Sequence, residues 1–252
     1  NACGAISLGS KTFTLKNSNF IKTNCLGAVK FASNGVHKDL PIVIDNCMFD
    51  SCLGSNKRCF DVSTYTNYIQ FKNTLIQNMP ATDRNGYILS FECNNNLETF
   101  VFENITFLNN RCSSDYGGGS GIWITDVENM EFKDCHFIDN TALKDSTPRD
   151  KVPLGATESV YYQGDGGGFQ YGFSETIYDI NMIFDNCEFR GNKAVRHGGA
   201  LALQTVGTVE IRHCTFIDNI AGYDPKSSSA QLLFNNYYSY KTHGRGGAIY
   251  IN

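Results

Sequence analysis

Apolar and polar positions alternate in many short segments of this chain, and the segments return at a nearly constant spacing. A complete copy runs from Met182 to Leu203, where an apolar segment leads into C-x-F, then N-x-A, then glycines and a second apolar segment. Five of the six gaps between copies are about thirty residues long, a period typical of solenoids. The aromatic or aliphatic anchor of each copy falls at Phe20, Phe49, Ile76, Phe107, Phe137, Phe189 and Phe216.

The segments that follow the glycines alternate with period two, which predicts strands with one buried face. Short strands in fixed columns predict an all-β fold, a right-handed parallel β-helix solenoid of about eight coils. A β-sandwich is the rival architecture, but it does not explain the columns. We expect one β-helix segment over residues 1–252, an uncapped fragment of a longer rod, with loop insertions at about 143–165 and 222–245. The paired apolar positions are Ile6/Leu8, Val29/Phe31, Phe60/Val62, Leu89/Phe91, Ile122/Ile124, Phe169/Tyr171, Leu201/Leu203 and Ile249/Ile251.

Two inward columns carry polar or thiol side chains that we interpret as structural ladders. Asparagine tolerates a left-handed corner, and stacked amides bond to one another, which predicts a ladder of Asn110, Asn140, Asn192 and Asn219. Small buried side chains predict a second ladder of Cys47, Cys135, Cys187 and Cys214. Cys3 and Cys25 share a column on adjacent rungs and are the best disulfide candidates, and spacing leaves the other pairings open.

Composition and residue spacing argue against nucleic-acid binding, a membrane span and a metal site. The net charge of −4 and the pI of about 5.7 do not suggest a nucleic-acid partner. No apolar run reaches the length of a membrane span. The sequence contains no C-x-x-C pair, and His136 and His213 lie in different columns, so we expect no metal site and no cofactor.

The pairing of F-x-x-N with G-G-A-[ILV] carries a resemblance to a known family. It occurs at Phe189 to Asn192 with Gly198-Gly199-Ala200-Leu201, and at Phe216 to Asn219 with Gly246-Gly247-Ala248-Ile249. This repeat resembles that of the chlamydial polymorphic outer-membrane proteins and of similar protist surface proteins, within the pectin-lyase-like superfamily. The resemblance implies an extracellular or cell-surface location and an adhesive or structural role without catalysis.

Two alternatives stay open at this point. A polysaccharide lyase or hydrolase needs clustered carboxylates beside an Arg or Lys, and the outward acids here are scattered. Arg196-His197-Gly198 and His243-Gly244-Arg245 resemble the His-Gly corner of pectin hydrolases, but neither has an acidic partner in the pattern. The other alternative is a building block of an extracellular filament or appendage.

The two insertions are the predicted binding elements, because loops on a rigid scaffold commonly carry recognition. Their aromatic, weakly charged character suits a glycan or protein on another surface, or identical rods in an assembly. Asn104-Ile105-Thr106 is an N-glycosylation candidate. Trp123 and Tyr250 share an outward column with Gln170 and Ala202, which we interpret as a lateral assembly face. The binding candidates are Tyr161, Tyr162, Tyr223, Tyr237, Tyr238 and Tyr240.

Overall fold

The computed structural model describes residues 6–8, 13–23, 29–32, 41–52, 59–64, 68–79, 88–112, 118–143, 165–171, 180–203, 206–222 and 246–251. These residues form 24 strands and no helix. The first twelve strands are β1 Ile6–Leu8, β2 Phe13–Lys16, β3 Asn19–Ile21, β4 Val29–Ala32, β5 Ile42–Asp45, β6 Met48–Asp50, β7 Phe60–Thr64, β8 Tyr68–Lys72, β9 Leu75–Gln77, β10 Leu89–Glu103, β11 Thr106–Leu108 and β12 Arg111–Cys112. The others are β13 Ile122–Lys133, β14 His136–Ile138, β15 Thr141–Ala142, β16 Phe169–Tyr171, β17 Ile180–Asp185, β18 Glu188–Arg190, β19 Lys193–Ala194, β20 Leu201–Leu203, β21 Val206–Arg212, β22 Thr215–Ile217, β23 Ile220–Ala221 and β24 Ile249–Ile251.

All described strand pairs are parallel, and each joins one turn of the chain to the next. The strands form a ten-stranded sheet, a seven-stranded sheet, a four-stranded sheet and a three-stranded sheet. The seven-stranded sheet, which we name the Phe sheet, runs in the order β22-β18-β14-β11-β9-β6-β3. Because neighbouring strands in space are successive repeats in sequence, the fold is an all-β parallel solenoid, as the sequence predicts.

The predicted register is confirmed along the Phe sheet. Phe49 pairs with Phe20 and with Ile76, and Phe137 pairs with Phe107 and with Phe189. The strands after the glycines also pair as aligned, for example Phe169 with Leu201 and Leu201 with Ile249. A single repeating anchor is therefore enough to set the stacking of the described rungs.

The predicted number of about eight coils is too high. About four turns are complete in the described part of the chain. This count corresponds to the four-stranded sheet β12-β15-β19-β23, whose strands follow the asparagine corner. The Phe sheet has seven strands, and the residues that follow its first two corners, around Cys25 and Gly54, lie outside the described ranges.

The core is a pair of phenylalanine stacks. In the Phe sheet, the ring of Phe137 lies 4.9 Å from that of Phe107 and 4.7 Å from that of Phe189, with nearly parallel planes. On the facing wall, Phe132 lies 4.8 Å from Phe102 and from Phe184. In-register stacking brings identical rings to about the strand spacing, a favourable distance for aromatic pairs.

The corners before and after each Phe strand contain a residue in the left-handed conformation. Before the strand this residue belongs to a column of exposed amides and related side chains, such as Asn104 (φ 53°) and Asn186 (φ 54°). After the strand it is the residue that precedes the predicted ladder, for example Asn109 (φ 51°) and Asp139 (φ 54°). The sequence interpretation assigned the left-handed backbone to Asn110 and Asn140 and was wrong by one residue. Those asparagines point inward, so their side chains stabilise the corner while their neighbours turn it.

The glycine corner adds a second constraint. Gly198 has φ +60°, and a Cβ there would overlap the backbone carbonyl of Leu201. Gly199 approaches the backbone of Gly247 on the next rung so closely that a side chain would not fit. Close approach between rungs therefore requires glycine here.

The outward column of the post-glycine strands is not the exposed face that the alternation predicts. Ser90, Gln170 and Ala202 are each at most 1% exposed, and all three residues of β20 are buried. The prediction of a flat lateral assembly face is therefore wrong for these residues. Alternation identifies which side chains share a face, but it does not determine whether that face is buried.

Candidate functional site

Four stacked asparagines form a ladder of side-chain bonds between rungs, in which Asn110, Asn140 and Asn192 are buried and Asn219 is half-buried. The Asn140 side chain donates from Nδ2 to the Phe107 carbonyl at 2.9 Å and to Asn192 Oδ1 at 3.1 Å. Its Oδ1 accepts the backbone N–H of Asn110 at 3.1 Å. Asn192 repeats the arrangement, with Nδ2 bonded to Asn219 Oδ1 at 2.9 Å. The hydrogen-bonding groups of these amides bind the backbone and the neighbouring amides at the corner, so they are not available to a ligand.

The cysteine column is arranged similarly with weaker donors. Cys135, Cys187 and Cys214 each direct Sγ to a carbonyl of the preceding rung at 3.4 Å, those of Phe102, Phe132 and Phe184. These thiols are free in the structure, as is that of Cys47. Burial, opposed by backbone hydrogen bonds, raises the pKa of the Cys47 and Cys214 thiols. Such thiols are poor nucleophiles, so the column fits a structural role.

Sequence reasoning missed a column of alternating charge on the ten-stranded sheet. Parallel pairing places lysine or arginine and aspartate or glutamate in strict alternation over seven rungs. The order is Lys16, Asp45, Lys72, Glu103, Lys133, Asp185 and Arg212. Every one of these residues lies four positions before an anchor of the Phe sheet, so the same alignment could have revealed the column.

Three pairs of neighbouring residues in this column form ion pairs in the structure. Lys72 Nζ lies 3.1 Å from Glu103 Oε2, Arg212 Nη2 lies 3.2 Å from Asp185 Oδ2, and Lys16 Nζ lies 3.9 Å from Asp45 Oδ2. The Asp185 pKa is lowered, first by the hydrogen bond with His213 and also by the nearby cations. Neighbouring carboxylates are thus separated by cations, which is unlike the paired acids of a glycoside hydrolase.

One acid lies where the sequence pattern suggested that none was present. Asp165 is fully buried and accepts both Nε and Nη2 of Arg196, at 2.9 and 2.5 Å, together with the backbone N–H of His197 at 3.1 Å. The expectation that the Arg196-His197-Gly198 corner lacks an acidic partner is therefore wrong. The signal was present, because Asp165 precedes its glycine run just as His197 precedes Gly198.

This corner is enclosed. Burial raises the pKa of Asp165 to about 6, although the Arg196 guanidinium acts in the opposite direction. The His197 ring is 8% exposed and stacks at 4.7 Å on the Tyr250 ring of the following rung. The bidentate ion pair between Asp165 and Arg196 joins two glycine corners. This arrangement is more typical of a structural cross-link between rungs than of a reactive site.

An open cavity of about 620 Å³ lies beside the corner that follows the Phe sheet. We name it the corner groove. Arg111, Thr141 and Lys193 are in register as the first residues of β12, β15 and β19, so the two cationic residues are two strand spacings apart, about 10 Å. The groove is lined by Asn78, Leu108, Asn109, Arg111, Asp139, Thr141 and Lys193.

A chain of side-chain amides forms the wall of the corner groove. Asn109 donates to Asn78 Oδ1 at 3.0 Å, and Asn78 donates to the Asp50 carboxylate at 3.1 Å. The hydrogen bonds from Asn78 and Ser51 lower the pKa of Asp50, so its carboxylate is charged. Amide, hydroxyl and cationic groups together suit a ligand rich in hydroxyl or anionic groups, and none of them is an activated nucleophile.

Of the remaining predicted site residues, most lie outside the described part of the chain and Asn104 lies within it. Tyr161, Tyr162, Tyr223, Tyr237, Tyr238 and Tyr240 lie outside the described residues, as do Cys3 and Cys25, most of both insertions, and His243 with Arg245. Asn104 is exposed at a left-handed corner, and its amide donates to Asn73 Oδ1 at 2.9 Å.

Among the described residues, no three His, Cys, Asp or Glu side chains are grouped to hold a metal ion. That part of the chain also contains no helix long and apolar enough to cross a membrane. No protein-family model, no curated protein and no solved structure matches the chain.

Proposed function

We propose that this chain is a non-catalytic extracellular or cell-surface β-helix with an adhesive or structural role. Support comes from the F-x-x-N and G-G-A-I repeat of the chain, which resembles the repeat of polymorphic outer-membrane proteins and protist surface proteins. The observation that carries it is the use of polar groups in ladders. Buried amides, thiols and alternating charges bond each rung to the next, which suits a rigid structural rod.

Among the described residues, we assign the corner groove as the site that binds a partner molecule. Its cationic pair, Arg111 and Lys193, flanks Thr141 along the rod axis, so an extended partner would run across several rungs. A glycan with hydroxyl and anionic groups matches the amide and cationic lining. The tyrosines of the two insertions stay additional binding candidates.

Binding to immobilised oligosaccharides, neutral and acidic, tests this assignment. The variant Arg111→Ala/Lys193→Ala removes both cationic groups from the groove. We expect its affinity to fall tenfold or more, since a charge-assisted hydrogen bond contributes about 1.5–3 kcal/mol. The matched control Lys16→Ala/Arg212→Ala removes one lysine and one arginine from the ten-stranded sheet and should bind like the unaltered chain.

The outcomes separate the functional classes. Equal affinity of the groove variant and the unaltered chain would contradict the groove assignment. Release of shortened saccharide products during the same incubation would contradict a non-catalytic role. Reversible self-association in sedimentation, without binding to any saccharide, would favour the filament alternative.

The corner of Asp165 and Arg196 bears on the carbohydrate-active alternative. It supplies the acid, the arginine and the histidine that such an enzyme would need in proximity. However, Asp165 is fully buried and already accepts three hydrogen bonds, so a substrate has no access to its oxygens. This argues for a non-catalytic rod.

A further inference from the structure

The alternating charges of the ten-stranded sheet lie on its solvent-facing side. The basic side chains are between 33% and 54% exposed, and the acidic side chains are between 27% and 43% exposed. The ion pairs within the chain therefore leave much of each charged group accessible to a second molecule. We name this set the charge column, which consists of Lys16, Asp45, Lys72, Glu103, Lys133, Asp185 and Arg212.

The spacing of the charge column makes it complementary to a copy of itself. Its members occupy one strand position on seven successive rungs. Opposite charges are therefore one rung apart, about 4.8 Å, and like charges are two rungs apart, about 10 Å. A second column laid against the first and displaced by one rung places every facing cation opposite an acid.

A two-fold axis parallel to the strands provides this displacement. Rotation about such an axis reverses the order of the rungs but keeps each residue at the same position along its strand. The two charge columns therefore face each other, and the two rods run antiparallel. An axis through a rung brings like charges together, whereas an axis between two rungs gives every facing pair opposite charges. Each pair then occurs twice, because a two-fold interface presents the same surface on both subunits.

The ends of the charge column favour one position of the axis. Arg212 already has two acids of its own chain at 3.2 Å, Asp185 and Glu210. Lys16 Nζ lies 3.9 Å from Asp45 Oδ2, at the outer limit of an ion pair, so Lys16 gains more from an additional acid. The favoured register is therefore one that places an acid opposite Lys16.

An axis between the rungs of Lys72 and Glu103 meets this condition and aligns six of the seven rungs. The facing pairs are Lys16 with Asp185, Asp45 with Lys133, and Lys72 with Glu103.

The columns on either side add no like-charge contact in this register. At the corner, the residue that follows each member of the charge column is an asparagine on five of the six aligned rungs. Asp134 is the exception, and it faces the amide of Asn46, which can donate a hydrogen bond to it. On the other flank, two residues before the charge column, Glu131 faces Val43.

We propose that two copies of this chain associate laterally, as antiparallel rods, through their charge columns. Six aligned rungs give a narrow polar interface about 24 Å long. An interface of this size is at the small end of protein contacts, so the association is weak, and salt weakens it further. None of the residues that line the corner groove belongs to the charge column, so this inference stands independently of the proposed saccharide binding.

Carbodiimide cross-linking tests the proposal, because this reagent joins a lysine to a carboxylate only where the two groups touch. Lys16 and Asp185 are five rungs apart in one rod, about 24 Å, so a bond between them must join two chains. The same holds for Asp45 and Lys133, which are three rungs apart, about 14 Å. We expect both links in the tryptic peptides of the cross-linked dimer. A cross-linked dimer with neither link would overturn the proposal.

Sedimentation of the unaltered chain at several concentrations measures the association itself. We expect a reversible monomer–dimer equilibrium at low ionic strength, with a dissociation constant that rises about tenfold at high salt because exposed charges are screened. A sedimentation coefficient that does not change with concentration at low salt would overturn the proposal. A dissociation constant that does not respond to salt would do the same.

Two complementary variants show whether the charges act across the interface. Lys16→Gln/Lys133→Gln removes two cations, and Asp45→Asn/Asp185→Asn removes the acids that face them. Either variant alone retains two of the six facing pairs and should self-associate about tenfold more weakly than the unaltered chain. An equimolar mixture retains four of the six pairs and should associate more tightly than either variant alone.

The variant Arg111→Gln/Lys193→Gln is the matched control, because it removes the same amount of charge from the corner groove. It should self-associate like the unaltered chain. Equal weakening by this control and by Lys16→Gln/Lys133→Gln, or a mixture that associates no better than its components, would contradict the proposed interface. The cross-links in the unaltered chain do not depend on whether these variants fold.

Discussion

Lys72 Nζ lies 3.1 Å from Glu103 Oε2 on the adjacent rung, and this pair is one step in a column whose charge alternates over seven rungs. Displacement of one rung from the stack would place like charges side by side at the junction, for example Asp45 beside Glu103 if the Lys72 strand were displaced. The alternation therefore disfavours wrong registers in addition to its contribution to attraction. Exposed pairs contribute little individually, so register is the more important consequence.

Reversing one charge in this column should destabilise the chain in a salt-dependent way. Glu103→Lys places three cations in succession, Lys72, the new lysine and Lys133. We expect a loss of about 1 kcal/mol in the free energy of unfolding at low ionic strength, and less at high salt. Urea unfolding at two salt concentrations measures this, with Glu103→Gln as the uncharged control.

The exchange Lys72→Glu/Glu103→Lys should fail to restore stability, unlike exchange of an isolated pair. It recreates attraction between positions 72 and 103 but sets position 72 against Asp45 and position 103 against Lys133. Full recovery in the double variant would contradict a role for the column beyond the single pair.

Removing an amide from the asparagine ladder should have a larger effect than removing an exposed one. Asn140→Ala leaves the Phe107 carbonyl and the Asn110 N–H without their buried partner. Each unsatisfied buried group costs about 1–3 kcal/mol, so for these two groups we expect a loss of roughly 2–6 kcal/mol in unfolding free energy. The control Asn181→Ala removes an exposed amide from β17, at a residue without a left-handed backbone, and should cost about 0.5 kcal/mol. Urea midpoints that shift equally in both variants would contradict the ladder as a stabilising element.

The phenylalanine stack should be sensitive to truncation at its centre. Phe137 is 0% exposed between the rings of Phe107 and Phe189. Phe137→Ala removes two stacking contacts and leaves a cavity, which should cost about 3–5 kcal/mol. Ile138→Ala, on the half-buried outer side of the same strand, provides the comparison. Similar decreases in melting temperature for the two variants would contradict the central role of the phenylalanine stack in the core.

The buried Asp165 should make stability depend on pH. Its pKa is raised by burial to about 6 from the ordinary 3.8, so between these values the folded chain binds more protons than the unfolded chain. The contribution of this group is fully present below about pH 4 and is lost as pH rises through 6. At about 1.4 kcal/mol per pH unit of pKa change, the loss approaches 3 kcal/mol. The difference in unfolding free energy between the unaltered chain and Asp165→Asn, followed from pH 4 to 8, should show this loss, and a constant difference would contradict it.

Repetition explains how much of the fold could be predicted. Seven anchors at a nearly constant spacing determine which residues stack, because parallel rungs repeat the same local structure at every turn. The alternating charge column was equally present in the sequence, four residues before each anchor, but became evident only when the rungs were placed side by side.

Local sequence alone determined the solenoid, its register, the inward columns and the asparagine and cysteine ladders as hypotheses. Only the tertiary structure decided that the left-handed residue precedes Asn110 and Asn140, that the face of Gln170 and Ala202 is covered, and that Asp165 meets Arg196. It also revealed the corner groove, whose lining comes from several rungs. The physical reason is that period and spacing describe neighbours along one column, whereas burial and convergence depend on groups that come from different columns and different walls of the coil.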